Sequence, residues 1–200
     1  MPETYDPQFW EARYRAHTPS SANAANQPLV DAATDLSPGT ALDAGCGVGN
    51  DAIWLASQGW TVTALDVAPS AVRRARERAA EAGGDVSARI DWRVADLTVW
   101  TPGSEHFDLV TSHYVHVEAP YEDVVERLAR AVAPGGTLLV VGHDTTHHAG
   151  HGVDIAQAAA VLDRDQWEVQ IAADQPRTAH DPHGHEVDLR DAVLRARRLV

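Results

Sequence analysis

Two carboxylates and three glycines stand in this 200-residue chain in an order suited to a nucleotide-type cofactor. In Asp43-Ala44-Gly45-Cys46-Gly47-Val48-Gly49 an acid precedes three alternating glycines, which let main chain approach a ligand closely. Asp66 ends the next apolar run, 60–65, where a carboxylate can accept hydrogen bonds from both hydroxyls of a ribose. Histidines supply a second chemistry. His113 and His116 follow one apolar run, and His143, with Asp144 beside it, follows another. Imidazole titrates near neutrality, so His113 and His143 are the candidates for general base or substrate contact. An attacking phenol or hydroxyl needs such a base, whereas a thiol or selenol ionises readily without one. Further histidines, His147, His148, His151, His180, His183 and His185, crowd two loop-like segments. Histidine clusters bind zinc, nickel or copper. These lack a recognised ligand spacing and are interleaved with Gly150, Gly152 and Gly184, so they read as polar loops over the site and no metal ligand is assigned.

The elements that must position these residues follow from periodicity. Residues 40–44 read as a strand feeding the glycine turn, and 51–58, with Ala52, Ile53, Leu55 and Ala56, as the helix behind it. The alternation continues with strand 60–65, helix 70–82, strand 90–94, strand 107–112, helix 121–131 and strand 136–141. Two helices, 6–16 with Pro7 in its first turn and 28–36, precede the first strand. A short helix near 154–162 leads to two apolar runs, 167–173 and 191–197, joined without a helix and therefore read as a hairpin. This alternation predicts an α/β fold, a doubly wound parallel sheet with ligands at the carboxyl ends of its strands. Trp10 and Tyr14, one helical turn apart, could close over such a ligand as a lid or simply pack.

Glycine spacing by itself leaves the cofactor open, because Gly47, Gly49 and Ala52 also fit the loose G-x-G-x-x-G/A pattern of NAD-binding dinucleotide enzymes. The acid at position 43 moves the balance: Asp-Ala-Gly-Cys-Gly-Val-Gly resembles motif I of the class I S-adenosylmethionine-dependent methyltransferases. Later landmarks are similar in the same order. They are Ala95-Asp96-Leu97, Phe107-Asp108-Leu109-Val110-Thr111-Ser112, and residues 128–138 with their Pro134-Gly135-Gly136 turn. The resemblance covers nearly the whole chain. Phe9-Trp10-Glu11-Ala12-Arg13-Tyr14, Asn50-Asp51-Ala52 and Gln58-Gly59-Trp60 look like its small-molecule branch, which includes tellurite-resistance, thiopurine, thiol and quinone methyltransferases.

The resemblance implies a Rossmann-like, seven-stranded sheet with an antiparallel last strand. It implies one methyltransferase domain over 1–200, with a helical cap at 1–38 and the core at 39–200. It places Asp43, Gly45, Cys46, Gly47 and Gly49 at the methionine end of S-adenosylmethionine and Asp66 with Val67 at the ribose. Ala95, Asp96 and Leu97 fall beside the adenine, Ser112 near the methyl group, and Trp10 and Tyr14 above the cofactor. S-adenosylhomocysteine is then the product and a small molecule the acceptor. Methyl transfer asks the protein mainly to align the acceptor, exclude water and, where needed, remove a proton. Three readings stay open. One is transfer to sulfur, selenium, tellurium or an aromatic hydroxyl; the others are a metal-assisted methyltransferase using loop histidines and a non-catalytic module that binds the cofactor.

Composition narrows the partners. The formal charge is −13, with 29 acids against 16 basic residues, and nucleic-acid binding needs a basic face, so no nucleic acid is expected. The run Arg73-Arg74-Ala75-Arg76-Glu77-Arg78 spreads its charges around a helix as a solvated face. Lysine is absent, which excludes Schiff-base chemistry. Cys46 is the sole cysteine, so no internal disulfide forms, and inside the glycine turn it reads as a packing residue. No apolar run approaches the roughly 20 residues that span a bilayer, and Met1-Pro2-Glu3-Thr4-Tyr5-Asp6 lacks the features of a signal peptide. A cytoplasmic protein without a membrane partner is expected.

Overall fold

A computed structural model describes residues 4–16, 24–144, 152–180 and 186–200. The chain opens with α1 (Pro7–Ala16) and α2 (Gln27–Thr34), then runs β1 (Thr40–Ala44), α3 (Asn50–Ser57), β2 (Thr61–Asp66) and α4 (Pro69–Ala82). A single turn, α5 (Gly84–Ser87), leads to β3 (Ile90–Val94), β4 (Phe107–His113), α6 (Tyr121–Arg130) and β5 (Val132–His143). The chain continues with α7 (Ile155–Ala160), β6 (Trp167–His180) and β7 (Glu186–Arg198).

All seven strands join one sheet in the order β3-β2-β1-β4-β5-β7-β6. The first five run parallel, and β7 lies antiparallel between β5 and β6. This is the seven-stranded, Rossmann-like sheet with an antiparallel last strand expected from the sequence. Chain order reverses between β1 and β4, which opens a crevice at the carboxyl edge.

Neighbouring residues of one strand serve different cores. Leu42, Val110, Leu138, Val140 and Leu194 pack with α6 and α7, whereas Ala41, Leu109, Leu139, Val141 and Val193 pack with α2, α3 and α4. Both faces are covered at β1, β2, β4 and β5, so these strands read as continuous apolar runs, whereas the edge strand β3 alternates buried and exposed residues. α1 is different: it buries none of its residues. Asp6 caps it, its Oδ1 accepting from the Phe9 amide at 2.7 Å ahead of Pro7 in the first turn. Among the described residues no helix is long and apolar enough to cross a membrane.

Two strands depart from expectation. β5 begins at Val132, earlier than residue 136. Val132 pairs with Phe107 and Thr137 with Leu109, so the expected Pro134-Gly135-Gly136 turn is looped out as a bulge inside a longer strand. The hairpin also extends well past 167–173 and 191–197. β5 supports β7 only between Thr137↔Arg197 and His143↔Asp191, and beyond Asp191 the two strands pair with each other alone. Pro176 is tolerated there because β6 is the sheet's edge.

β4 carries the histidine nearest the crevice, and Leu109 is its fully buried anchor. Leu109→Ala is expected to destabilise the fold by about 2–5 kcal/mol, read as a lower midpoint in urea with an unchanged slope.

Candidate active site

The end of β2 shapes the glycine turn. The Gly45 and Cys46 amides both donate to the Leu65 carbonyl at 2.8 Å. Asp66 accepts from the Gly47 amide at 2.8 Å through Oδ2 and from the Ala68 amide at 2.9 Å through Oδ1. Each oxygen retains a lone pair for another donor. Burial pushes the Asp66 carboxyl above its ordinary range, against the pull of the Ala68 and Gly47 amides. Gly45 has φ +83°, and a Cβ there would strike Val115. At Gly47 (φ +53°) a Cβ would lie 2.8 Å from the Tyr14 hydroxyl oxygen. The turn therefore presents bare main chain at its tightest points.

Above it opens a cleft of about 400 Å³ at the carboxyl ends of β1 to β4. Of the expected residues, Gly45, Asp66, Val67, Ala95, Asp96, Leu97 and His113 line it from the sheet, and Trp10 and Tyr14 close it from α1. Asp96 is fixed by its own turn: Oδ1 accepts from the Thr98 amide at 2.8 Å and the Thr98 hydroxyl at 2.7 Å. Asp43, Cys46, Gly47, Gly49, Ser112 and His143 do not line the cleft. Gly49 begins α3 and leaves room for the Trp92 ring, and Ser112 is fully buried beside the Tyr121 hydroxyl. Burial pushes the Cys46 thiol well up, consistent with a packing role.

His113 is the best-defined polar group on the cleft wall. Its Nδ1 lies 3.0 Å from Asp51 Oδ2 and 3.2 Å from Thr111 Oγ1, while its Nε2 is buried with no partner among the described residues. Asp51, in the first turn of α3, is itself held from the approach to α2: Asn26 donates its amide to Oδ1 and its Nδ2 to Oδ2, both at 2.8 Å. Burial raises the Asp51 carboxyl, but the hydrogen bond and charge of His113, with the Asn26 donors, outweigh it and leave the group below its ordinary value. Asp43 goes the other way. Burial and the neighbouring Asp51 charge push it well up, and its Oδ2 has no partner among the described residues. Two close carboxylates are thus shifted in opposite directions.

The wall continues into Tyr114, a non-glycine residue at φ +52°. Its amide donates to the Val141 carbonyl, and its hydroxyl donates to Asp191 Oδ2 at 2.9 Å, an oxygen that Arg177 Nε also reaches at 2.7 Å. The base of the β6–β7 hairpin thereby holds this backbone conformation. The His143 ring lies tilted against Tyr114 at 4.8 Å and stacks on His116 at 5.7 Å, and His116 stacks on Tyr5 at 5.4 Å. Trp10 Nε1 donates to the His116 carbonyl at 3.2 Å, joining α1 to the β4 side.

On the other side, Glu11 Oε2 accepts from the Ser70 amide at 2.9 Å and its hydroxyl at 2.8 Å. α4 has Ala68 at its N-cap, with no side chain able to cap, and α1 supplies the missing acceptor. Asp51, Glu11 and Tyr114 were not singled out in the sequence. An acid in the first turn of a helix is an ordinary dipole partner, and nothing local links it to a histidine three strands later. Among the described residues no group of three or more histidines, cysteines or acids could hold a metal. His147, His148, His151, His183 and His185 lie outside the described residues.

With this geometry in place, comparison with known proteins gives a consistent result. Residues 41–136 match the methyltransferase domain family. An uncharacterised methyltransferase of Mycobacterium tuberculosis is 32% identical over 175 residues, covering 84% of this chain and 85% of that protein. A ubiquinone biosynthesis O-methyltransferase of Xanthomonas euvesicatoria is 33% identical over 135 residues, 66% of this chain and 55% of that one. A solved structure from work on the conversion of a disulfide bond into a thioacetal group during echinomycin biosynthesis aligns with a TM-score of 0.74 at 22% identity. It covers 96% of this chain and 91% of that one.

The Glu11 contact has a definite pH signature. The Ser70 amide and hydroxyl hold the Glu11 carboxyl below 4.5, so the contact is fully present above that value and is lost as pH falls through the lowered one. The protection factor of the Ser70 amide, its exchange set against the intrinsic rate at each pH, should hold down to about pH 4.5 and fall below it. In Glu11→Ala it should be low throughout, and a protection factor unaffected by either change would refute the contact.

Proposed function

The chain belongs to the class I S-adenosylmethionine-dependent methyltransferases, and on that footing we propose that it methylates a small molecule held between the end of β4 and α1. In this reading residues 1–38 form the cap and 39–200 the core. Asp66 is the observation that carries it: a buried acid on the cleft wall, fixed by two amides and still able to accept from two ribose hydroxyls. Asp96, whose Oδ1 is committed to Thr98, offers Oδ2 to the adenine amino group, with Ala95 and Leu97 as the flanking walls and Val67 beside the ribose. Gly45 gives the methionine end its close main-chain approach. Asp43 and Gly49 support this seat from behind, the first by accepting from the Ala52 amide at the start of α3. A cleft of about 400 Å³ suits a ligand of this size.

When bound, the cofactor supplies a methyl group on a sulfonium that is already a good leaving group. The chain's own residues do the rest. Trp10 and Tyr14 cover the cleft and exclude water, and Tyr114, with His143 packed against its ring, forms the acceptor wall. His113 stands where a proton would leave an attacking group. The acceptor is a thiol or chalcogen centre or an aromatic hydroxyl; the Xanthomonas relative's name as an O-methyltransferase supports oxygen.

Calorimetric titration should show micromolar binding of S-adenosylhomocysteine and none of NAD. Asp66→Ala should weaken that binding by about 1–3 kcal/mol, roughly five- to 150-fold in Kd. An unchanged affinity would remove Asp66 from the ribose, and binding of NAD in place of S-adenosylhomocysteine would overturn the reading.

A further inference from the structure

We infer that Asp51 is the positioning residue of a buried Asp51–His113 dyad, and that the acceptor is accordingly a phenol or enol whose proton must be removed rather than a thiol or chalcogen anion. This rests on the cleft being the site of methyl transfer.

The tautomer follows from the contacts. Asp51 Oδ2 is acceptor-only when ionised, and at 3.0 Å it takes the proton on Nδ1 of His113. The neutral ring then carries its lone pair on Nε2. That atom is buried and, among the described residues, unpartnered, on a side chain that lines the cleft. A buried polar atom left without a partner costs stability, and active sites are where such costs persist. Asp51 is in turn gripped by two donors from Asn26, so the carboxylate cannot rotate away from the ring. Burial and the Asp51 charge push the Asp43 carboxyl up while the contacts of Asp51 hold it down, which favours the negative charge on the member of the pair that touches His113. A structural pin between α3 and β4 would need only the Nδ1 bond and would leave the bare Nε2 unexplained.

The proton balance is simple. The acceptor O–H proton passes to Nε2 as the oxygen lone pair forms a bond to the methyl carbon. The carbon–sulfur bond breaks with its electron pair going to sulfur, which leaves neutral S-adenosylhomocysteine. His113 becomes an imidazolium paired with Asp51 and returns its proton to water. A phenol with a pKa near 10 is mostly protonated at neutral pH and gains from this arrangement, whereas thiols ionise more easily and selenols more easily still.

Asp51→Asn tests the dyad. The Asn26 main-chain amide can only donate and keeps an oxygen at the Oδ1 position, whereas the Asn26 side chain can turn its own oxygen toward the Oδ2 position, so the new amide NH₂ takes that place, faces Nδ1 and forces the proton onto Nε2. Nitrogen-15 spectra of the imidazoles, with His113 assigned through His113→Gln, should show the Nδ1–H tautomer in wild type and Nε2–H in Asp51→Asn. S-adenosylhomocysteine affinity should be equal in the two. With phenol as probe acceptor, kcat should fall about 10²- to 10⁴-fold in Asp51→Asn while KM moves only a few-fold. Turnover of thiophenol should fall at least tenfold less. An Nε2–H tautomer in wild type, equal losses on phenol and thiophenol, or no loss on phenol would each overturn the inference. Wild-type protein that fails to bind S-adenosylhomocysteine would instead defeat the cofactor reading on which it rests.

Discussion

Asp66 accepts the Gly47 amide of the glycine turn and the Ala68 amide at the entry to α4, so the end of β2, the turn and the start of α4 cannot shift independently. The Leu65 carbonyl adds two more amides from the same turn. β1 delivers the turn, but β2 holds its shape, and α3 inherits its starting direction from that shape. Asp51 at the head of α3 then meets His113 across the boundary where β1 pairs with β4. The geometry of the site is therefore a consequence of strand order: only β1, flanked by β2 on one side and β4 on the other, could be tied to both.

Three buried acids within this small region would repel one another strongly if all were ionised, because charges with little water between them are poorly screened. The chain resolves the crowding differently for each. Asp43 is pushed toward its neutral form, Asp51 is paired with an imidazole and two amide donors, and Asp66 is bonded to main chain. No lysine is available to neutralise any of them, and in a chain of net charge −13 the local field favours a cationic ligand over an anionic one.

β1, β2 and β4 were legible because a parallel sheet covered on both faces writes itself as short continuous apolar runs. The glycine turn was legible because the tight turn and the close approaches need residues without a Cβ. The outer hairpin was legible only where β5 backs it. Beyond Asp191 a polar two-stranded ribbon leaves no apolar alternation to read, and Pro176 argues locally against a strand. The bulge in β5 was read as a turn because Pro134, Gly135 and Gly136 carry the same local signal in either setting. Asp66, Asp96 and His113 line the cleft because strand ends deliver them to its carboxyl edge, and Trp10 and Tyr14 line it from α1. The partner of His113 was not, since the pairing joins a helix start to a strand end through space, and the Glu11 cap on Ser70 escaped for the same reason.

α1 buries none of its own residues and is held by a few contacts, chiefly Glu11 on Ser70 and the Trp10 indole on the His116 carbonyl. Its local opening is therefore far cheaper than unfolding of the sheet, and the two belong to different cooperative units. Under the proposed function, spent cofactor leaves when one short helix lifts, with the core untouched, and on that reading turnover and thermal robustness are uncoupled. Tightening the sheet would lengthen the life of the enzyme without slowing product release, whereas strengthening the grip of α1 would retard release even in an enzyme whose chemistry was intact.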